Sequence, residues 1–411
     1  KLAGDLRVDH TRDVFRQLLY LALLVCPQCL GDGEIEEELP FRIGQPVQKR
    51  LKSCPTCNGS RFSPNPTPIK YEEIYKRVQH FQFKFGVIPA SEKYNDFFAK
   101  VEAGDLDVAS RLKTYFDLAL RRELAEVEYN LEPLGLASWR VALPEGSLDP
   151  LSDEETDVFI RSMARILATE NILLPPGDQE PWAWKHGFPR TLLEDYEQKV
   201  IFWGERAFGN NAIPYNLEHY RKLGRYVNAV SRALVSSGRL KKKEDADRWR
   251  VNLRKPLWDA LIGAKILSIA GQRLGNNQYP WGIRIDIFGL HPISDRVERC
   301  SACGYVMSET VLNTCVRCGQ KTAPYSAENL INYYRRNAQL ILNQTIFEDP
   351  YPLRAIEHSA QIPGYEARDL ERWLRLGSMV GRGSNAADLI CTNRAAITRK
   401  ADTSAASCSW S

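Results

Sequence analysis

Eight of the ten cysteines in this 411-residue sequence occur in four C-x-x-C pairs. A C-x-x-C turn presents two thiolates to one metal ion, and two such turns complete the tetrahedral sulfur environment that Zn²⁺ prefers. A secreted disulfide scaffold would be shorter and richer in cysteine. The pairs therefore predict two structural zinc sites in a protein of the reducing cytoplasm. The predicted ligands are Cys26, Cys29, Cys54, Cys57, Cys300, Cys303, Cys315 and Cys318.

The last two pairs have the spacing of a zinc ribbon. In CSACGYVMSETVLNTCVRCGQ, eleven residues separate two C-x-x-C knuckles, which is enough for a β-hairpin arm between them. Gly304 and Gly319 follow the knuckles and suit a tight turn. Four buried free thiols are the alternative, but they would need this spacing by chance. Redox chemistry is disfavoured, because no thioredoxin-like βαβ pattern surrounds the pairs.

The first two pairs, CPQC and CPTC, are separated by 24 residues. Each is followed by x-G, a pattern that resembles the zinc repeat of the DnaJ-type co-chaperones. That family has four repeats and a J-domain, whose signature is absent here, so the likeness indicates shared knuckle geometry. The insert carries EIEEEL and KR, which predicts a solvated hairpin. Because four thiolates fill each site, neither zinc is expected to be catalytic.

The composition is that of a soluble globular protein with a mild basic excess. Hydrophobic residues make up 44% and charged residues 26%, and the net charge of +4 is not by itself a nucleic-acid signature. The longest apolar run, LLYLALLV, is shorter than the roughly 18 residues of a membrane span. No secretory signal is evident. We therefore expect a cytoplasmic protein without membrane contact, and the start at Lys1 suggests a fragment.

Helical periodicity dominates the middle of the chain. It covers residues 71–132 and 191–273, and between them LASWRVAL predicts a strand and Ser152 with Glu155 a capping box. The stretch NAVSRALVSSGRLKKKEDADRWRVNLRKPLWDALIG predicts helix, turn and helix, and WGIRIDIFGL predicts a following strand or wing. A winged-helix-like fold and an undefined helical bundle both fit this pattern.

The turn between those two helices is basic. Its side chains and those of the following helix could contact phosphates, although a charge run is usually a solvated helix face. The candidate nucleic-acid-binding residues of this region are Arg239, Lys241, Lys242, Lys243, Arg248 and Arg250.

After the ribbon, SAENLINYYRRNAQLIL predicts a helix capped by Ser326, and PLRAIEHSAQIPGYEARDLERWLRLG follows. The latter resembles the start of the second RecA-like lobe in cysteine-rich superfamily 2 DEAD/DEAH-type helicases, similar to those of DNA repair and of anti-phage defence systems such as DISARM. The resemblance implies DNA as a partner, a remaining helicase lobe or partner subunits, and ATP with Mg²⁺ in the complete parent protein. It places His358 and Gln361 at a polar strand end, where they would contact nucleic acid or couple the lobes. A local loop network is the alternative.

Essential helicase elements are missing from the sequence. It has no G-x-x-x-x-G-K-[ST] P-loop and no D-E-x-[DH] box. ATP hydrolysis needs a phosphate cradle and a metal-binding carboxylate, so we predict that the chain alone is inactive. The residues after Gly377 show neither helical nor strand periodicity. They predict a disordered or frame-shifted tail, or the flexible C-terminus of a shorter protein.

The predicted fold class is α+β, mostly helical, with two four-cysteine zinc modules and a partial α/β RecA-like segment at the C-terminal end. Two functions are open: a fragment of an ATP-dependent DNA helicase or translocase, and a non-enzymatic zinc-ribbon module that binds nucleic acid or protein. The predicted domains are an N-terminal helix with a zinc module (1–70), a helical region that is winged-helix-like near 220–290 (71–290), a zinc ribbon (291–325), a partial RecA-like lobe (326–377) and the tail (378–411).

Overall fold

The computed structural model describes residues 15–38, 49–85, 106–127, 130–143, 147–177, 199–204, 212–215, 217, 221–271, 278–293 and 296–343. These residues fall into two compact units. Unit 1 takes its residues from Lys1–Pro68, Lys76–Ile88 and Asn329–Ser411, and unit 2 takes its residues from Ile69–Tyr75 and Pro89–Glu328.

The fold is mixed α+β, as predicted, and helices cover more of the described chain than strands do. The helices are α1 (residues 15–24), α2 (Tyr71–Phe85), α3 (Leu106–Ala125), α4 (Asp153–Thr169), α5 (Arg221–Ser236), α6 (Lys243–Gly263) and α7 (Glu328–Asn343). The strands are β1 (Glu34–Glu38), β2 (Lys49–Ser53), β3 (Ala137–Val141), β4 (Leu173–Leu174), β5 (Val200–Phe202), β6 (Ala212–Pro214), β7 (Leu267–Ile269), β8 (Trp281–Arg284), β9 (Phe288–Pro292), β10 (Arg296–Cys300), β11 (Val306–Met307) and β12 (Thr322–Ser326).

Unit 1 is built on the buried helix α1. Its run LLYLALLV is buried along its whole length, which places it in a core and explains why it lacks a polar stripe. Tyr20 packs edge-on against Tyr334 of α7, with ring centroids 6.3 Å apart. The Arg77 guanidinium donates to the carbonyl of Ala22 at 2.8 Å, close to the end of α1. No helix of the described residues is both long and apolar enough to cross a bilayer.

Unit 2 packs α4, α5 and α6 together, and its described strands form three sheets, of two, three and five strands. Phe159 of α4 stacks on Tyr226 of α5 at 5.7 Å and lies 6.3 Å from Trp249 of α6. Strands β3 and β9 pair antiparallel, and β8 pairs antiparallel with β7 and parallel with β4. The predicted capping box begins α4: Ser152 Oγ accepts from the Glu155 amide at 3.3 Å, and Glu155 Oε2 accepts from the Ser152 amide at 2.9 Å.

The helix, turn and helix predicted near residue 230 are present as α5 and α6. The antiparallel pair of β7 and β8 follows them along the chain, and the winged-helix-like fold stays a prediction. The prediction of helical structure across 191–273 is wrong at the three strands β5, β6 and β7. Strand β5 (VIF) consists of β-branched and aromatic residues and pairs in parallel with β6 (AIP), so sheet formation overrides the weaker helical period there.

The helix after the ribbon, α7, begins later than its sequence predicts. Ser326, the expected N-cap, is the last residue of β12 and pairs with Arg296 of β10. Because the backbone of Ser326 belongs to the strand, α7 starts only at Glu328. The predicted RecA-like strand and helix and the predicted tail lie outside the described residues.

Candidate metal centres and nucleic-acid interface

The first cysteine cluster brings together the segment that follows α1 and the segment that follows β2. Cys26 Sγ lies 3.7 Å from Cys54 Sγ, and Cys29 Sγ lies 3.7 Å from Cys57 Sγ. All four sulfur atoms lie within 4.8 Å of one another, and all four residues are buried. The α1 helix leads straight into the first knuckle, where the Cys26 amide donates to the carbonyl of Arg61 at 3.0 Å.

The second cluster has the same arrangement within unit 2. Cys300 Sγ lies 3.4 Å from Cys318 Sγ, and Cys303 Sγ lies 3.7 Å from Cys315 Sγ. Again the four sulfur atoms lie within 4.8 Å of one another. The first knuckle follows β10, and the second lies between β11 and β12 in the three-stranded antiparallel sheet β11-β10-β12.

Both clusters fit a tetrahedral metal ion. Zn–S bonds of about 2.3 Å place the sulfur atoms of a tetrahedron about 3.8 Å apart, close to the distances observed. The eight thiols are free, and their spacing is far above the roughly 2.05 Å of a disulfide. Burial raises the pKa of Cys29 and of Cys318 to about 12 each, and a bound divalent cation would favour their thiolate form. The clusters could therefore hold two zinc ions, as predicted.

The glycines after the knuckles have the backbone conformation that the turn requires. Gly304 and Gly319 have φ values of 67° and 73°, and Gly31 and Gly59 have φ values of 88° and 77°. An L-residue with a side chain is strained in this left-handed region. The repeated x-G after C-x-x-C in the first module is thus explained by turn geometry, as the sequence indicated.

The first module carries an exposed charged hairpin, as predicted from EIEEEL and KR. Its two strands, β1 and β2, pair antiparallel, and β2 is exposed along its length. Glu37 of β1 accepts from Arg50 at 2.8 Å and from Lys52 at 2.6 Å. Ile35 packs against the cysteine cluster, whereas Leu51 is 66% exposed. Ile35 thus joins the metal centre to an arm that is otherwise largely solvated.

The second module is embedded in unit 2 instead. Tyr305 and Met307 are buried against its cysteines, and Val127 packs on the same cluster. Glu309, between the two knuckles, accepts from Arg161 of α4 at 2.9 Å and from Arg140 of β3 at 3.1 Å. The ribbon is thereby held to the helical core by apolar contacts and by charged hydrogen bonds.

A more buried ion pair, between Glu132 and Arg165, adds to the contact between the ribbon and the helical core. Ser308 Oγ lies 3.4 Å from Glu132 Oε1, and Glu132 Oε2 lies 3.4 Å from Arg165 Nε of α4. Burial raises the pKa of the Glu132 carboxyl, although the guanidinium of Arg165 works against this rise. His291 of β9 does not join the cysteines. Burial, and secondly Arg140 and Arg161, lower its pKa to about 4, so it is neutral at pH 7.

The second knuckle of the ribbon also packs directly on α5. A Cβ atom added to Gly319 would lie 2.8 Å from Ala229 Cβ and 3.5 Å from the carbonyl oxygen of Arg225. Such a distance leaves no room for a side chain at Gly319. The second metal centre is therefore in close contact with the first helix of the helix-turn-helix, which sequence analysis did not foresee.

The helix-turn-helix of residues 221–263 concentrates the positive charge of the chain. It contains twelve Lys and Arg and four Asp and Glu, a net charge of +8, whereas the whole chain has +4. The rest of the chain is therefore net negative, at −4. The overall charge conceals this asymmetry, and a local count along the sequence would have found it.

The predicted nucleic-acid-binding residues divide into two groups. Arg239 forms an ion pair with Glu155, and Arg250 bonds to Asp247 and to Asn228, so both have protein partners. The others are exposed: Lys241, Lys242, Lys243 and Arg248. Three exposed cations missed by sequence analysis lie on α5: Arg225, Arg232 and Lys222, and Lys222 forms an ion pair with Glu170. The predicted contacts His358 and Gln361 lie outside the described residues.

No protein-family model, curated protein or solved structure matches this chain. The resemblance to superfamily 2 helicases stays a prediction, and the geometry of the two four-cysteine clusters and of the helix-turn-helix has to carry any functional conclusion.

Proposed function

We propose that the protein binds nucleic acid through the basic helix-turn-helix of residues 221–263, supported by two structural zinc ions. The observation that carries the proposal is the net charge of +8 in this element, in a chain whose remainder is negative. Electrostatic attraction to phosphates supplies most of non-specific affinity. Lys241, Lys242 and Lys243 are exposed at the turn, where they extend toward solvent and not into the core.

Zinc would act as a structural ion in this function. Four thiolates leave no open coordination position for a water or a substrate, which favours a folding role over a catalytic one. Because the second cluster contacts α5 at Gly319, its metal would also fix the surface that presents Arg225 and Arg232.

A salt titration of DNA binding tests the proposal. Fluorescence anisotropy with a labelled duplex should give an affinity that falls steeply with salt. Replacing Lys241, Lys242 and Lys243 by Gln should weaken binding at least tenfold and make the slope of log K against log salt shallower by about two to three. The matched control replaces the hairpin cations Lys49, Arg50 and Lys52 by Gln, which removes the same charge. Equal behaviour of the two triple variants would contradict the proposal.

Protein binding is a second candidate, favoured by the exposed hairpin. Leu51 is a large apolar side chain that is 66% exposed, on the exposed strand β2 of a two-stranded arm. A partner that covers this arm would bury Leu51. The larger helicase or translocase function also stays a proposal; ATP and Mg²⁺ would belong to the complete parent protein, and its predicted partial RecA-like lobe spans residues 326–377. Detection of ATPase motifs in adjoining coding sequence would test it.

A further inference from the structure

Helix α6 has a buried face and an exposed face of different chemistry. The buried face is apolar and includes Trp249, Leu253 and Leu257. The exposed face presents Arg248, Val251 and Asn252, which are spaced i, i+3 and i+4 and therefore lie side by side. This trio lies within the first half of the helix, five residues or more after its start at Lys243.

The three side chains share a capacity to recognise bases. An arginine bonds bidentately to the O6 and N7 atoms of guanine, an asparagine bonds to the N6 and N7 atoms of adenine, and an apolar side chain contacts the methyl group of thymine. Val251 is 64% exposed, a position where an apolar residue gains nothing in the isolated chain. Contact with a thymine methyl would bury it.

The neighbouring charges leave this face available to an anionic duplex. Asp247 is paired with Arg250 at 2.5 Å, and Asp259 is paired with Lys255 at 2.8 Å. Glu244, an exposed carboxylate in the first turn, precedes Arg248 by four residues and lies on the same side of the helix, where it would accept from a cytosine amino group. The lysines before the helix start supply the phosphate contacts that orient a recognition helix.

We propose that α6 is a recognition helix that enters the major groove of double-stranded DNA and reads bases with Arg248, Val251 and Asn252. The inference rests on the proposed nucleic-acid function and adds sequence specificity to it. It commits to DNA because the major groove of B-form DNA admits an α-helix, whereas that of A-form RNA is too narrow and deep to be read. In helix-turn-helix proteins, residues in the N-terminal part of the second helix contact base edges, as this trio would.

Selection from a random duplex pool tests the inference. The wild-type chain, loaded with zinc, should enrich a consensus sequence. Arg248→Ala and Asn252→Ala should each relax one position of that consensus, with a loss of roughly 5- to 150-fold in preference for the original base. Asn252→Gln, which keeps an amide, should retain more of its preference than Asn252→Ala. Because these side chains are exposed, zinc content and far-UV circular dichroism should remain those of the wild type.

The lysine triple variant separates this inference from the proposed function. Gln at Lys241, Lys242 and Lys243 should weaken all duplexes about equally and leave the consensus unchanged. If that variant loses affinity but no consensus appears, or if Arg248→Ala and Asn252→Ala leave the consensus intact, the recognition helix is wrong and phosphate binding stands. If the lysine variant binds like the wild type, the proposed function fails, and with it the inference.

Discussion

The two cysteine clusters have the same chemistry but different surroundings. Both place four sulfur atoms within 4.8 Å of one another, and both use knuckles followed by glycine in the left-handed conformation. The first extends into a charged hairpin exposed to solvent. The second is covered by Tyr305 and Met307 and is joined to α4, β3 and α5. Ligand geometry therefore indicates that each cluster could hold a zinc ion, and the contacts around each cluster indicate what such an ion would support.

This difference predicts on which of the two metal ions the proposed DNA binding depends. The first centre stabilises its own module and the arm that leaves it. The second joins the ribbon to the helix-turn-helix, because its knuckle packs against Ala229 of α5 at Gly319. Loss of the second metal should consequently disturb α5 and α6, whereas loss of the first should leave them intact.

The largest expected effect is that of removing a metal ligand. Cys315→Ser should lower the zinc content by one ion per chain and reduce DNA affinity at least tenfold, because structural zinc contributes on the order of 10 kcal/mol to folding. Cys54→Ser, the matched change in the first module, should also lose one zinc ion but alter DNA affinity less than twofold. Zinc content by mass spectrometry and anisotropy on the same samples measure both quantities.

The contrast between these serine variants decides between two descriptions of the protein. Equal losses of DNA affinity would show that both modules support the same surface, contrary to the contacts described above. Unchanged zinc content in both variants would remove the metal assignment itself.

A smaller effect is expected from the knuckle glycines. Gly319→Ala should reduce the free energy of unfolding by about 2–4 kcal/mol, since a strained left-handed residue and an overlap with Ala229 add together. Gly59→Ala should cost only about 1–2 kcal/mol, because its new Cβ would meet the Ser53 hydroxyl at 3.0 Å, and that side chain can rotate. Equilibrium urea unfolding of the zinc-loaded variants gives both values. A larger loss at Gly59 would place the tighter contact in the first module.

Replacing a carboxylate should change the free energy of unfolding less than replacing a knuckle glycine, and the two modules should again differ. Glu309→Gln should cost about 1–2 kcal/mol, because it weakens two charged hydrogen bonds to Arg161 and Arg140 in a partly buried setting. Glu37→Gln, on the exposed hairpin, should stay within about 0.5 kcal/mol of the wild type, since exposed ion pairs contribute little. Urea unfolding at low and at high salt measures the difference. A hairpin variant as costly as Glu309→Gln would show that the arm is not solvated.

The sequence is most informative about the metal centres and the local signals. The four C-x-x-C pairs, the capping box at Ser152 and the solvated insert after Cys29 all depend on residues close together in the chain. Their physical causes are short-range: ligand spacing, a helix start and a charged insert. Each of these predictions is confirmed in the described residues.

Features that depend on distant residues were not predictable in the same way. Strands β5 and β6 were mistaken for helix because each has only three residues, and parallel pairing with each other defines them. Ser326 resembles an N-cap in the sequence, but in the structure it is the last residue of β12 and pairs with β10. The contact between Gly319 and Ala229 joins positions 90 residues apart. The charge of the helix-turn-helix was hidden because opposite charges elsewhere nearly cancel it in the total.

The smallest expected effect concerns the apolar residues of the hairpin, and it sharpens the contrast between arm and metal centre. Leu51→Ser should change the free energy of unfolding by less than about 0.5 kcal/mol, because Leu51 is 66% exposed and buries little on folding. Ile35→Ser should cost about 1 kcal/mol or more, since Ile35 packs against the cysteine cluster. Urea unfolding of the two zinc-loaded variants makes the comparison. A loss above about 1 kcal/mol for Leu51→Ser would mean that its side chain is covered in solution, and the hairpin would then be part of a packed surface and not an arm free to meet a partner.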